Sequence, residues 1–329
     1  MTVASGIERT RSPGDGARAF ARFAWAVLGV TLAVVLWGAV VRATGSGAGC
    51  GSHWPLCNGA VLPQDPSQAT IIEFVHRVGS GAALVLVAAL WFRARRRFPG
   101  GVVRRWANAA LVLILVEAGV GAGLVLMEWV GQDASAARAI AIALHLAVTY
   151  ALLASLTLVG WHAPGREGVA PGIGRGATAA WVGGLIVIGM TGAVTALGDT
   201  LFPAATLAQG GASDFAAGSH FLVRLRVIHP VLAGGVGAAL FVWAGRRAAT
   251  VEGSSARRLS WLRRLVALQL LAGAINVVLL APVWLQIVHL LLADLIWIVL
   301  VVCLAEAAGV ATTNNGLARG GRPPATLGT

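Results

Sequence analysis

Runs of about 20 apolar residues recur eight times along this 329-residue chain, and that recurrence decides the class of fold. A helix rises about 1.5 Å per residue, so about 20 residues cross the roughly 30 Å hydrocarbon core of a bilayer. Inside that core each backbone N–H and C=O must find a partner within the segment, which makes each run a helix. The runs fall at roughly 23–41, 72–92, 106–127, 138–160, 177–197, 223–244, 262–281 and 284–305. The expected fold is an all-α polytopic membrane protein with eight transmembrane helices. Hydrophobic residues make up 57% of the chain and charged ones 12%, which excludes an ordinary soluble domain.

Orientation follows from charge. The net charge of +12 is carried by arginine alone, since the chain has no lysine. Arg9, Arg11, Arg18 and Arg22 precede the first run; Arg93, Arg95, Arg96, Arg97, Arg104 and Arg105 follow the second; Arg246, Arg247, Arg257, Arg258, Arg263 and Arg264 follow the sixth. The loop 43–71 has none, and the one after the third run has only Arg138 at its end. Clustering in alternate loops is the mark of membrane topology rather than of a nucleic-acid surface, so lipid is the expected partner and nucleic acid is not. It puts the chain in the cell (plasma) membrane with both termini cytoplasmic and the odd-numbered loops outside. Residues 1–21 and 308–329 read as disordered cytoplasmic tails, and 162–176 as a cytoplasmic linker. No short apolar core marks a cleaved signal peptide near the start. Arg224 and Arg226, at the outer mouth of the sixth run, break the charge pattern and need another explanation.

The halves 22–161 and 177–307 read as copies. His76-Arg-Val-Gly-Ser-Gly resembles His229-Pro-Val-Leu-Ala-Gly, His145-Leu parallels His289-Leu, and Gly-Ala-Val recurs at Gly38 and Gly192 before an outer loop. Four spans per copy is an even number, so the copies share one orientation. Two tandem four-helix bundles related by a pseudo-twofold axis are the expected architecture.

Histidine supplies the candidate chemistry. His76, His145, His229 and His289 all lie in even-numbered runs, within the first turns from the outer side. Each half therefore carries two imidazoles at similar depth on two helices. Such a pair can hold haem iron from both sides within a bundle; a single buried histidine in a span can equally be a packing residue or part of a proton relay. His162 reads as solvated and His220 as interfacial. Cys50 and Cys57 sit in the outer loop 43–71 with His53 between them, which leaves a disulfide or a Cys-His-Cys metal site; the outer location favours the disulfide. Cys303 reads as a buried thiol. Glu73 stands one turn before His76, and two local readings compete with a chemical one: a capping box Thr70-x-x-Glu73, and an i,i+4 pair with Arg77.

Arg42-Ala-Thr-Gly-Ser-Gly-Ala-Gly-Cys50-Gly-Ser-His-Trp-Pro-Leu-Cys57-Asn-Gly, followed by Glu73-Phe-Val-His76-Arg77, resembles the haem A synthase family. The resemblance continues through His145-Leu, Arg226-Val-Ile-His229-Pro and His289-Leu, over roughly 22–307. It implies oxidation of the C8 methyl group of haem O to a formyl group, giving haem A for terminal oxidases. It implies further that His76 and His145 ligate the substrate haem in the N-terminal half, while His229 and His289 ligate a haem b cofactor. Glu73 would be the catalytic carboxylate, and Arg77, Arg226 and Arg224 would face haem propionates. Haem O synthase, the oxidase assembly machinery and an electron acceptor are the implied partners. Two positions depart from the family pattern: Ser52-His53 replaces a Pro-Asp, and Glu117 stands where a glutamine-like amide is expected. Other classes remain. A dihaem electron-transfer cytochrome would need haems at both membrane faces, which four histidines on one side do not provide. A histidine-relay transporter would carry no haem.

Overall fold

The computed structural model describes residues 13–166 and 172–319; the expected tail over 1–12, linker residues 167–171 and the last ten residues lie outside the described residues. Among the described residues ten α-helices follow in order: α1 (Pro13–Ala43), α2 (Gln68–Arg97), α3 (Gly101–Leu126), α4 (Ala136–His162), α5 (Arg175–Leu201), α6 (Leu207–Phe215), α7 (Phe221–Leu225), α8 (Ile228–Ala248), α9 (Gly253–Val278) and α10 (Val283–Arg319), with a 3₁₀ turn at Ser46–Ala48. Eight spans among the described residues are long and apolar enough to cross a membrane, the sixth being α7 and α8 together, Phe221–Ala248. There is no strand among the described residues.

Local chemistry sets the ends. The Ser67 side chain accepts from the Thr70 N–H at 3.2 Å and starts α2, and Ser135 does the same for α4 through the Arg138 N–H. The cap of α2 is therefore Ser67, and Glu73 sits beyond the first turn, free of capping duty. At the other end Arg95, Arg96 and Arg97 complement the helix dipole, and the Arg95 and Arg96 guanidinium groups lie over Trp91 and Phe92. α1 starts well before the expected span and takes in part of the segment read as a disordered tail. Pro13 suits a first helical position, and Phe20 is buried edge-on against Phe98 at 5.1 Å, so packing recruits the extra turns. α10 likewise runs past 307, through helix-forming Ala305-Glu306-Ala307-Ala308.

Helix contacts close two rings. α1 packs on α2 and α4, with α3 between α2 and α4; α5 packs on α8, α8 on α9, and α9 on α10, which returns to α5. α1 and α4 meet α5 and α10 across the seam. The main apolar core fills the first ring with Leu90, Leu153, Leu156 and Val87, and reaches over the seam to Trp297 and Val301 of α10. A smaller core around Leu240, Leu262 and Leu300 fills the second. At the seam Tyr150 stacks on Trp297, with ring centroids 4.9 Å apart, and Trp297 Nε1 donates to the Tyr150 carbonyl oxygen at 2.7 Å. With no hydrophobic drive between helices in lipid, contacts like these hold a bundle together.

Candidate functional site

The loop between α1 and α2 is tied down by its own residues and by α2. Cys50 and Cys57 form a disulfide, which removes the cysteine pair from the alternative metal site. Beyond it, Asn58 and Gly59 both take positive φ and the Cys57 and Ala60 backbones pair, a tight turn that suits Asn-Gly. Gly49 lies against the start of α2; a Cβ there would stand 2.5 Å from the Ala69 backbone, so this approach requires glycine. Thr70 Oγ1 donates to the Gly49 carbonyl oxygen at 2.9 Å.

Glu73 and Arg77 are the clamp under this loop. Glu73 is 3% exposed, and both its oxygens are engaged: Oε2 accepts from the Cys50 N–H at 2.8 Å, and Oε1 accepts from Arg77 at 2.5 Å. The i,i+4 pair expected from the spacing is thus formed, and it is buried. Arg77 also donates from Nη1 to the His53 carbonyl oxygen at 2.5 Å and to that of Leu56. One carboxylate and one guanidinium together grip the loop at Cys50 and at His53 and Leu56, between the two cysteines.

One turn further on, His76 faces α1 and lies within electrostatic reach of His145. A Cβ on Gly38 would stand 2.9 Å from His76 Cε1. In the second half Gly192 has the same relation to His229 Cε1, also at 2.9 Å, and Gly273 to His289 Cε1 at 3.0 Å. Small residues here leave room for imidazoles between helices. His229 and His289 stand with ring centroids 6.4 Å apart and planes at 89°. Two imidazoles each about 2.0–2.1 Å from a shared metal ion would stand about this far apart. His76 Nδ1 and His289 Nδ1 are buried without a hydrogen-bond partner, which a packing histidine would avoid. The His229–His289 pair thus fits a ligand that takes imidazole nitrogens from two sides, as haem iron does.

Other partners sit behind the histidines. His145 Nδ1 makes a close polar contact, 2.5 Å, with Glu117 Oε2. His289 has Gln269 Nε2 at 3.2 Å, and His229 Nδ1 has Thr191 Oγ1 at 3.4 Å. Neither Gln269 nor Thr191 is signalled by sequence spacing, because each reaches its histidine from another helix.

The arginines divide. Arg226 is held by Asp199 at 3.2 Å and Asp214 at 2.8 Å, and donates to the Phe202 carbonyl oxygen. Arg224 is exposed and shares an open cavity with Phe215, Phe221, Leu225, Val227 and Ile228. Arg42, which opens the cysteine-loop motif, crosses the seam: Nη1 donates to the Ala196 carbonyl oxygen at 2.6 Å and to Thr200 Oγ1 at 2.7 Å, and Nη2 to Gln286 Oε1 at 2.8 Å. Its place in the motif was visible; its reach to α5 and α10 was not. His220 caps α7 and stacks on Phe202, and Cys303 is buried as expected.

A protoheme IX farnesyltransferase of Thermus thermophilus is 47% identical over 307 residues, which is 92% of this chain and 50% of that protein. The chain thus spans about half the length of the Thermus relatives it matches. A heme A synthase of Alkalihalophilus pseudofirmus is 37% identical over 150 residues, covering 44% of this chain and 48% of its own. Another, from Shouchella clausii, is 44% identical over 101 residues, 30% of this chain and 33% of its own. The sequence pattern of the COX15-CtaA family, described as cytochrome oxidase assembly protein, matches residues 21–301 and so reaches into all eight spans. The chain belongs to this family, that of the haem A synthases.

Proposed function

We propose that this chain is a haem A synthase, oxidising the C8 methyl group of haem O to a formyl group for the assembly of terminal oxidases. The observation that carries the reading is the repeated pair of histidines, His76 with His145 and His229 with His289, with a glycine opening the space beside His76, His229 and His289. His76 and His145 would hold the substrate haem, and His229 and His289 a haem b cofactor that supplies iron redox chemistry. Haem O synthase would be the natural source of substrate. Both sites would open toward the outer side of the cell membrane, with the termini in the cytoplasm.

Glu73 is the proposed catalytic carboxylate. Held by Arg77 and the Cys50 N–H, its carboxylate group is fixed one turn before His76, where it would carry negative charge to the reacting edge. Such a charge stabilises positive charge developing at the methyl carbon, or accepts a proton released there. For the propionates, Arg224 has its guanidinium exposed, whereas Arg77 and Arg226 would share theirs with carboxylates.

Expression with a haem O source, followed by pigment extraction, tests the reading. Haem A should appear with the wild-type chain, while Glu73→Ala retains haem and forms none. Normal haem A formation by Glu73→Ala would overturn the assignment of Glu73. A colourless wild-type protein from haem-replete cells would overturn haem binding altogether and favour a transporter. The name of the Thermus relative favours a second reading, transfer of a farnesyl group to protohaem. Supplying protohaem and farnesyl diphosphate separates the two, since only a farnesyltransferase would then accumulate haem O.

A further inference from the structure

The two histidine pairs are alike in their glycines but not in what stands behind them. Glu117 on α3 and Gln269 on α9 occupy matching places, each nine residues before the last residue of its helix, Leu126 and Val278. Glu117 Oε2 lies 2.5 Å from His145 Nδ1, and its other oxygen is engaged by Thr149 Oγ1 one turn along α4. Thr149 Oγ1 in turn lies 3.0 Å from the His145 carbonyl oxygen, so carboxylate, hydroxyl and histidine form one local group. Gln269 Nε2 lies 3.2 Å from His289 Nε2, and Thr191 Oγ1 stands 3.4 Å from His229 Nδ1. One half therefore backs a histidine with a carboxylate, the other with an amide and a hydroxyl. An acidic side chain in the apolar part of a span is costly and is retained for a reason.

We infer that Glu117 is a positioning residue that makes the two iron sites electronically unequal: it holds His145 by Nδ1, leaves Nε2 for the iron, and lowers that iron's reduction potential. The inference rests on the haem placement proposed above. A carboxylate on the far nitrogen fixes the ring and raises its basicity as a ligand. Its negative charge, in a medium of low dielectric constant, stabilises the oxidised iron over the reduced one. Gln269 offers no such charge. Glu117 thus marks the N-terminal half as the one suited to oxidising conditions at iron. A carboxylate that merely joined α3 to α4 would do none of this, and Glu117→Gln would leave the iron's potential where it was.

The test uses the full chain purified from cells that make haem O, with each haem followed through a redox titration by its Soret and α bands and by low-spin electron paramagnetic resonance. Glu117→Gln should raise the reduced-to-oxidised ratio of the N-terminal haem about tenfold at fixed poise, the lower end of outer-shell effects on metal sites. For one electron that is about 59 mV. The C-terminal haem should not move. Gln269 faces Nε2 of His289 and leaves the unpartnered Nδ1 for the iron, so Gln269→Glu should shift the C-terminal haem the opposite way. Haem-loaded variants whose potentials stay at the wild-type values overturn the inference while the haem placement stands. Should Glu117→Gln lose its haem, Gln269→Glu decides alone: a lowered C-terminal potential supports the inference and an unchanged one overturns it. A wild-type chain without haem overturns the placement itself, and the inference with it.

Discussion

Gly38 and Gly192 carry their function in what they lack. A Cβ at either would stand 2.9 Å from an imidazole carbon, so alanine must push the ring off its place. Gly192→Ala should lose haem from the C-terminal half and Gly38→Ala from the N-terminal half, each leaving the other half loaded; haem per protein by pyridine haemochromogen measures it. The recurrence of Gly-Ala-Val was legible in the sequence, but its purpose was not, because each glycine's partner lies on the next span. Glu73 was legible as an ionisable residue beside a histidine. Its second oxygen's bond to the Cys50 N–H was hidden by the long stretch of chain between them. Arg77→Ala should destabilise the protein by about 3–5 kcal/mol, since it leaves a buried carboxylate without its cation. Thermal unfolding in detergent would check that, and a change within the error of the melt would show the pair to be dispensable.

At the scale of elements, hydropathy located all eight spans because length and apolarity are local properties. It misplaced the start of α1, where Phe20 is recruited by packing against Phe98, a contact no window of sequence contains. The cysteine loop is the element on which most of the motif converges. Its disulfide closes a short ring from Cys50 to Cys57, and a loop of that size gains about 2–3 kcal/mol from the reduced entropy of the open chain. Replacing both cysteines by serine should therefore speed amide hydrogen exchange over residues 49–60 and leave α8 to α10 unchanged. Equal protection in the two proteins would mean that Glu73 and Arg77 hold the loop unaided.

Across the whole molecule the seam between the rings carries polar groups that no apolar count would place there. Asp294 on α10 is fully buried, close enough to Tyr150 of α4 to interact with it electrostatically, and neither of its oxygens has a hydrogen-bond partner. Asp294→Asn removes an ionisable group without removing a bond, so it should melt at or above the wild-type temperature in detergent. A clear drop would reveal a partner for the carboxylate. Arg42 spans the same seam, and its position has a consequence for how such a chain can arise. It lies four residues after Gly38, just as Ala196 lies four after Gly192, and Arg42 Nη1 donates to the Ala196 carbonyl oxygen. Arg42 therefore grips its own positional counterpart. Tyr150 and Asp294 are counterparts in the same way, each five residues beyond a histidine. In a dimer of identical four-span subunits, two arginines would confront each other at that point. Joining the copies in one polypeptide frees each to mutate alone, so that guanidinium can meet alanine, phenol can meet carboxylate, and one ancestral pocket can become two with different tasks.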